Sequence, residues 1–140
     1  MNTLYETDFN LWLDEQSSYL KNQNFSQLDL ENLIEEIESM ARSDKRSLRS
    51  QMVRILKHML KLKYQPTKQV DSSSWGTTIR DGQNQIEAIL EDSPSLKTMP
   101  GEYLEKAYSK ALKEASIETG LPLLIFEKGC PWTIEQVLGE

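Results

Sequence analysis

Apolar residues recur every three or four positions along most of this chain, the spacing that lines one face of an α-helix. Phe9, Trp12, Leu13, Gln16 and Leu20 form the first such row. It predicts a helix that opens near Thr7 or Asp8, whose short side-chain oxygens can accept the free N–H groups of an opening turn, and ends at residues 22–24. Phe25 and Leu28 can pack in the connection that follows. Asp29 then stands as cap to a second row, Leu30, Leu33, Ile34, Ile37 and Met40.

At about 100° per residue, that arc resumes without a slip of register at Leu48, Met52, Ile55, Met59 and Leu62. One helix from Asp29 to Tyr64 would be roughly 52 Å long at 1.5 Å per residue. A compact domain of this size is about 35–40 Å across. The mismatch predicts a kink or break near Arg42, Ser43 and Asp44, with Ser43 or Asp44 capping a new start.

Gln65-Pro66 disfavours helix, and the polar stretch 65–73 is expected to be a loose connection, the least ordered internal segment. Ser74 can cap a third helix carrying Trp75, Ile79, Ile86, Ile89 and Leu90, with Gly82 either weakening its middle or admitting a close neighbour. Asp92-Ser-Pro-Ser95 stops it. A fourth helix is predicted from about Glu102 to Thr119, closed by Gly120 and followed by Pro122. Leu121 to Phe126 shows no alternation and reads as a buried helical turn with Pro122 at its first position, a β-strand being the alternative. Thr133-Ile-Glu-Gln136 has capping-box spacing and predicts a last short helix. The sum is an all-α fold: a compact bundle of about four to five main helices plus short C-terminal helical turns, in one domain over residues 1–140.

Composition narrows the setting. The acidic start lacks the basic and apolar regions of a secretory signal, and apolar runs fall far short of the roughly 20 residues a membrane-spanning helix needs, so a cytoplasmic protein without a membrane is expected. A lone Cys130 can form no internal disulfide, and no cysteine or histidine cluster suggests structural zinc. The net charge of −6 is unevenly spread. Residues 1–41 carry nine acidic groups against Lys21 alone, residues 42–68 nine basic groups against Asp44, and the remainder six basic against twelve acidic. Such blocks bear on association more than on fold.

Several phrases, taken together and in order, resemble a bacterial family known only as the twenty-ninth domain of unknown function. They are Tyr5-Glu-Thr-Asp-Phe9 with Trp12, Leu28-Asp-Leu-Glu-Asn-Leu-Ile-Glu-Glu-Ile-Glu-Ser-Met40, Arg42-Ser-Asp-Lys-Arg46, and His58-Met-Leu-Lys61 with Tyr64-Gln-Pro66. Ser74-Trp75, Thr78-Ile79, Asp92-Ser-Pro-Ser-Leu96, Glu118-Thr-Gly-Leu-Pro122 and Cys130-Pro-Trp-Thr-Ile-Glu-Gln136 continue the match. The resemblance implies an all-helical domain and supplies no activity. Two positions depart from the family pattern: Ala41 stands where relatives commonly carry glycine, and Gly82 replaces a larger polar residue.

Candidate chemistry is sparse. Glu31, Glu35 and Glu38 share one helix face and are the candidate metal ligands, as carboxylate-rich bundles use. The Glu-x-x-His pairs of bundle di-iron sites are missing, as is the full Glu-Glu-x-x-Glu pattern of helical nucleotide pyrophosphohydrolases, since Ser39 holds its last place. A solvated acidic face near a helix start, favoured by the macrodipole, is the ordinary reading. His58 and Cys130 lack catalytic partners in sequence, and Trp12, Trp75 and Trp132 sit in or beside apolar faces where core packing is expected.

The basic strip Arg42, Arg46, Arg49, Lys57 and Lys61 lies within about a third of a turn opposite the apolar arc and is the candidate interaction surface. The expected function is a non-enzymatic protein-interaction module, with a protein partner or a second copy of the chain, the strip pairing with the face of Glu31, Glu35 and Glu38 within the chain or across a dimer. Nucleic-acid binding through the strip is the first alternative and a metal-dependent hydrolase using the three glutamates the second. No catalytic residue and no cofactor are predicted.

Overall fold

The computed structural model describes residues 3–65 and 72–140, with side chains from 4–65 and 74–140. Of the described residues, 82% are helical and none lies in a strand, so the fold is all-α. Six α-helices follow one another: α1 (Thr3–Thr7), α2 (Phe9–Lys21), α3 (Leu30–Tyr64), α4 (Ser72–Asp92), α5 (Met99–Thr119) and α6 (Ile134–Leu138). Single 3₁₀ turns lie at Phe25–Gln27, Pro94–Leu96 and Leu123–Ile125. Of the loose connection predicted over 65–73, residues 66–71 lie outside the described residues, and Ser72 and Ser73 are already helical.

Local signals set most boundaries. The Asp8 carboxylate accepts the Leu11 N–H (3.1 Å) to open α2, as expected. Gly120 ends α5 in the left-handed conformation, φ 75°. Thr133 and Gln136 form the reciprocal capping box that starts α6. Two starts come earlier than predicted: α4 opens at Ser72 instead of Ser74, and α5 at Met99 instead of Glu102. The second shift follows from Pro100, whose fixed φ suits the first turn of a helix.

The predicted break near Arg42 is not there; α3 is one helix of 35 residues. Residues 40–49 contain neither glycine nor proline, and Ala41 is the strongest of helix formers. Arg42 also reaches back to Glu35 (3.2 Å) and Glu38 (3.9 Å), tying successive turns together. Two compact units follow along the chain, Met1–Ser43 and Asp44–Glu140, with the boundary inside α3.

The first unit is held by few buried groups. Trp12 is fully buried and donates its Nε1 hydrogen to Asp29 Oδ2 (3.1 Å), while Gln16 Oε1 accepts the Asp29 N–H (2.8 Å). Tyr5 and Phe9 pack on the Trp12 ring, and the Tyr5 hydroxyl donates to Glu36 Oε1 at 2.5 Å. These contacts tie α1 to Glu36 of α3 and α2 to Asp29 just before that helix. Phe9, Leu13, Leu20 and Phe25, expected to pack inward, are exposed, because the short α1–α2 pair turns only the Trp12–Gln16 side inward.

The second unit has the real core. Leu48, Met52, Ile55, Leu56 and Leu60 of α3 are completely buried against Ile86 of α4, Ala107, Tyr108, Ala111 and Ala115 of α5, and Phe126 and Val137. Each large side chain among them contributes roughly 1.5–3 kcal/mol by leaving water. Gly82 lets α4 approach: a Cβ there would stand 2.8 Å from Ile55 Cγ1. The turn after α5 corrects another expectation. Leu123, Leu124 and Ile125 form a 3₁₀ turn but point outward, Leu124 being 92% exposed, and only Phe126 enters the core. Pro122 precedes the turn in extended geometry instead of opening it.

Candidate functional site

The basic strip expected from sequence divides by its partners. Its members meet three different fates, decided by what each helix turn faces. Arg42 forms exposed ion pairs with Glu35 and Glu38 of its own helix. Lys57 bonds Glu114 (3.2 Å) and Glu118 (2.9 Å) on α5, and Lys61 bonds Glu118 (2.5 Å) while standing 5.7 Å over the Trp75 ring. Arg46 and Arg49 make no ion pair among the described residues.

The physical reason is that the face opposite the apolar arc is not the outer side of α3. Val53, in the middle of the strip, is buried against α5, so lysines flanking it meet the glutamates of that helix. Partial burial disfavours the Lys57 ammonium, yet its bonds to Glu118 and Glu114 outweigh this and raise its pKa. Burial likewise pushes Glu118 up, and the hydrogen bonds from Lys61 and Lys57 more than reverse it, leaving its carboxyl below the usual range.

What remains of the strip opens into a cleft of about 580 Å³ between α3 and α5. Arg46, Arg49, Arg54 and Lys57 reach it from α3 and Lys110 from α5. Among the described residues Glu114 is the one carboxylate on its wall, and Lys57 already holds it. Tyr103 forms the far side, with the Arg49 guanidinium and the Lys110 ammonium each 5.8 Å from its ring centroid. A second cavity of about 430 Å³ shares Arg49, Tyr103 and Lys110 and adds Lys106 and Lys113. Arg54, Tyr103 and Lys110 were not singled out from sequence. The spacing Tyr103, Lys106, Lys110, Lys113 on α5 is a readable row at i, i+3, i+7 and i+10 that points to a basic helix face.

The acidic face is arranged differently from a metal centre. Glu35 and Glu38 turn to Arg42, and neighbouring Glu36 takes the Tyr5 hydroxyl, whose pKa this bond pushes up to about 12. Among the described residues no three His, Cys, Asp or Glu side chains gather closely enough to share an ion, Glu31, Glu35 and Glu38 included.

The remaining candidates are structural in their surroundings. His58 is half-buried, with Nδ1 2.8 Å from the Arg54 carbonyl, which fixes Nδ1 as the protonated nitrogen. Cys130 is half-buried, its thiol directed at the Trp132 carbonyl (3.4 Å), and burial pushes its pKa up. Trp132 and Trp75 are half-buried, each beneath a lysine.

The family model for the domain of unknown function DUF29 matches residues 4–140. The chain belongs to the DUF29 family. No curated protein and no solved structure matches it. For this DUF29 chain, function therefore has to be read from its own surfaces.

One surface besides the cleft stands out in it. The row Leu30, Ile34, Ile37 and Met40 is exposed by between 54% and 69%. By helical angle it is the continuation of Leu48, Met52 and Ile55, which are fully buried further along α3. In the same unit Phe9, Leu13 and Leu20 make a further exposed row on α2. Among the described residues no helix is long and apolar enough to cross a membrane.

Proposed function

We propose that this protein is a non-enzymatic interaction module that self-associates in the cytoplasm through the first half of α3. The observation that carries the reading is the uncovered stripe of Leu30, Ile34, Ile37 and Met40 on a helix that buries the same stripe further along. Contiguous exposed apolar rows rimmed by charge mark association sites. The choice of a second copy as occupant rests on charge order. Along α3, Glu31, Glu35 and Glu38 come first and Arg42 and Lys45 follow, on the same flank of the stripe.

When two such helices lie antiparallel about a two-fold axis near Ile37, apolar stripe meets apolar stripe. Equivalent flanks then run side by side in opposite directions, so the acidic run of one copy lies along the basic run of the other. An isologous interface of this kind satisfies both copies at once. The single, unpaired Cys130 thiol suits a reducing compartment.

Sedimentation velocity of the full chain tests the proposal. The unmodified protein is expected to be a dimer at micromolar concentration, and Ile34→Glu combined with Ile37→Lys to be monomeric with unchanged helical circular dichroism, since both side chains are exposed. A monomeric unmodified protein, or a variant that stays dimeric, overturns it.

A further inference from the structure

The cleft between α3 and α5 has no role in that interface, and its composition is that of a binding site. Five cations, Arg46, Arg49, Arg54, Lys57 and Lys110, face one carboxylate, a local balance of +4 in a chain whose formal net charge is −6. Bringing like charges together costs energy that a bound anion relieves, and a partly enclosed cleft concentrates their field. Glu114 gives no relief to Arg46 or Arg49, because it and Glu118 are bonded to Lys57. Guanidinium groups are weakly hydrated, and their planar forks match phosphate oxygens in pairs. Tyr103 holds Arg49 and Lys110 over its ring, which positions two of the five for a ligand between the helices.

We infer that this cleft binds a small molecule bearing an oligophosphate chain. Its volume of about 580 Å³ lies in the range of small-ligand pockets, roughly 300–1,000 Å³. The adjoining cavity, lined by Lys106 and Lys113 with no carboxylate on its wall, extends the same positive lining for a chain of several phosphates.

A nucleic-acid track is disfavoured by the way the strip ends. Beyond the cleft toward the end of α3, Lys61 and Lys63 are bonded to Glu118 and Glu127, so the basic run of that helix does not continue as free positive charge. A polymer read by its backbone needs phosphate contacts repeated along its length.

Isothermal titration of the full chain with inorganic tripolyphosphate is the direct test, with ATP as a second probe. Saturable one-to-one binding is expected. Arg49→Gln and Lys110→Gln should each weaken it about tenfold, the size of one lost charge-assisted hydrogen bond. Arg80→Gln, an exposed cation on α4, should leave it unchanged. Equal affinity for the two probes assigns the site to the phosphate chain alone, and tighter ATP binding to a nucleotide; both sustain it. Absence of saturable binding at low salt overturns the inference, as does equal weakening by Arg80→Gln. It is also overturned by affinity for single-stranded or duplex oligonucleotides that climbs steadily with their length, the signature of a polymer track. The dimerisation experiment is independent of all these outcomes, because Ile34 and Ile37 belong to one unit and Arg49, Arg80 and Lys110 to the other.

Discussion

His58 shows how much a single side chain can report. Burial penalises its imidazolium, the Arg54 carbonyl bond partly offsets this, and Lys61, Lys57 and Arg54 repel the added charge; the net effect places its pKa below 6.5. Between the folded value and 6.5 the unfolded chain binds more protons than the folded one. Stability from neutral His58 is therefore complete above about pH 6.5 and is lost as pH falls from there through the folded pKa. As the chain has one histidine, a proton NMR titration resolves it without ambiguity. Its midpoint is expected below 6.5, and the drop in urea midpoint from pH 7.5 to 5.5 should shrink in His58→Gln. A midpoint at or above 6.5 would contradict the burial argument.

Gly82 makes the opposite kind of point, since there an absent side chain is the feature. Alanine is the better helix former by about 1 kcal/mol. Its methyl carbon would meet Ile55 Cγ1 at 2.8 Å and Cδ1 at 3.1 Å, and Ile55 is fully buried with no room to retreat. Overpacking of a filled core costs about 1–3 kcal/mol, so Gly82→Ala is expected to lower stability by about 1 kcal/mol net. Chemical denaturation checks the sign; a stabilised variant would mean that α4 can shift away from α3 at little cost. The family departure noted at this position thus coincides with a close helix approach.

At the scale of elements, α3 is one helix with two environments. Its residues Leu48 to Leu60 belong to a filled core, while in the unit that holds Glu31 to Met40 the buried residues are Trp12 and Gln16. Local opening follows buried contacts, so amide hydrogen exchange should be slower in residues 48–60 than in residues 31–40 by at least about tenfold at equal pH, measured on the monomeric Ile34→Glu, Ile37→Lys variant. Equal protection would show that the helix opens as one cooperative unit. Propensity explains why it stays unbroken: alanine at 41 and the Arg42 bonds to Glu35 and Glu38 favour helix where a capping serine and aspartate suggested a stop.

For the whole molecule, charge order is the property that matters most. The acidic first block, the basic second block and the acidic remainder pair in two ways, and both are visible. The Lys57 and Lys61 bonds to α5 join the second block to the third, and the Arg42 bonds join the second to the first. In the proposed dimer the unsatisfied part of that pairing is completed by a second copy. Raising the ionic strength in the sedimentation experiment should weaken the flanking ion pairs while strengthening apolar contact, so the dimer is expected to loosen only modestly with salt. Anion binding in the cleft, which depends on charge throughout, should fall steeply over the same range.

Periodicity, caps and breakers are local properties of a chain, and they are what the sequence by itself determined here. Apart from the break expected near Arg42, the long helices, the Asp8 and Thr133 caps, the Gly120 stop and the buried positions Leu48, Met52 and Ile55 follow from spacing and side-chain chemistry within a few residues. The five-residue α1 is too short to show a period, and the start of α5 at Met99 carries no side-chain cap bond to mark it. Which way a row faces is different, because burial depends on what other elements arrive. The same apolar stripe is covered at Leu48 and open at Ile34, and the same basic strip is neutralised at Lys61 and free at Arg49. Only the tertiary structure could decide these, since the answer lies in α4 and α5, whose residues are dozens of positions away. The cleft belongs to that class as well: Tyr103 and Lys110 meet Arg49 through the packing of α5 on α3, and no spacing within either helix encodes the meeting.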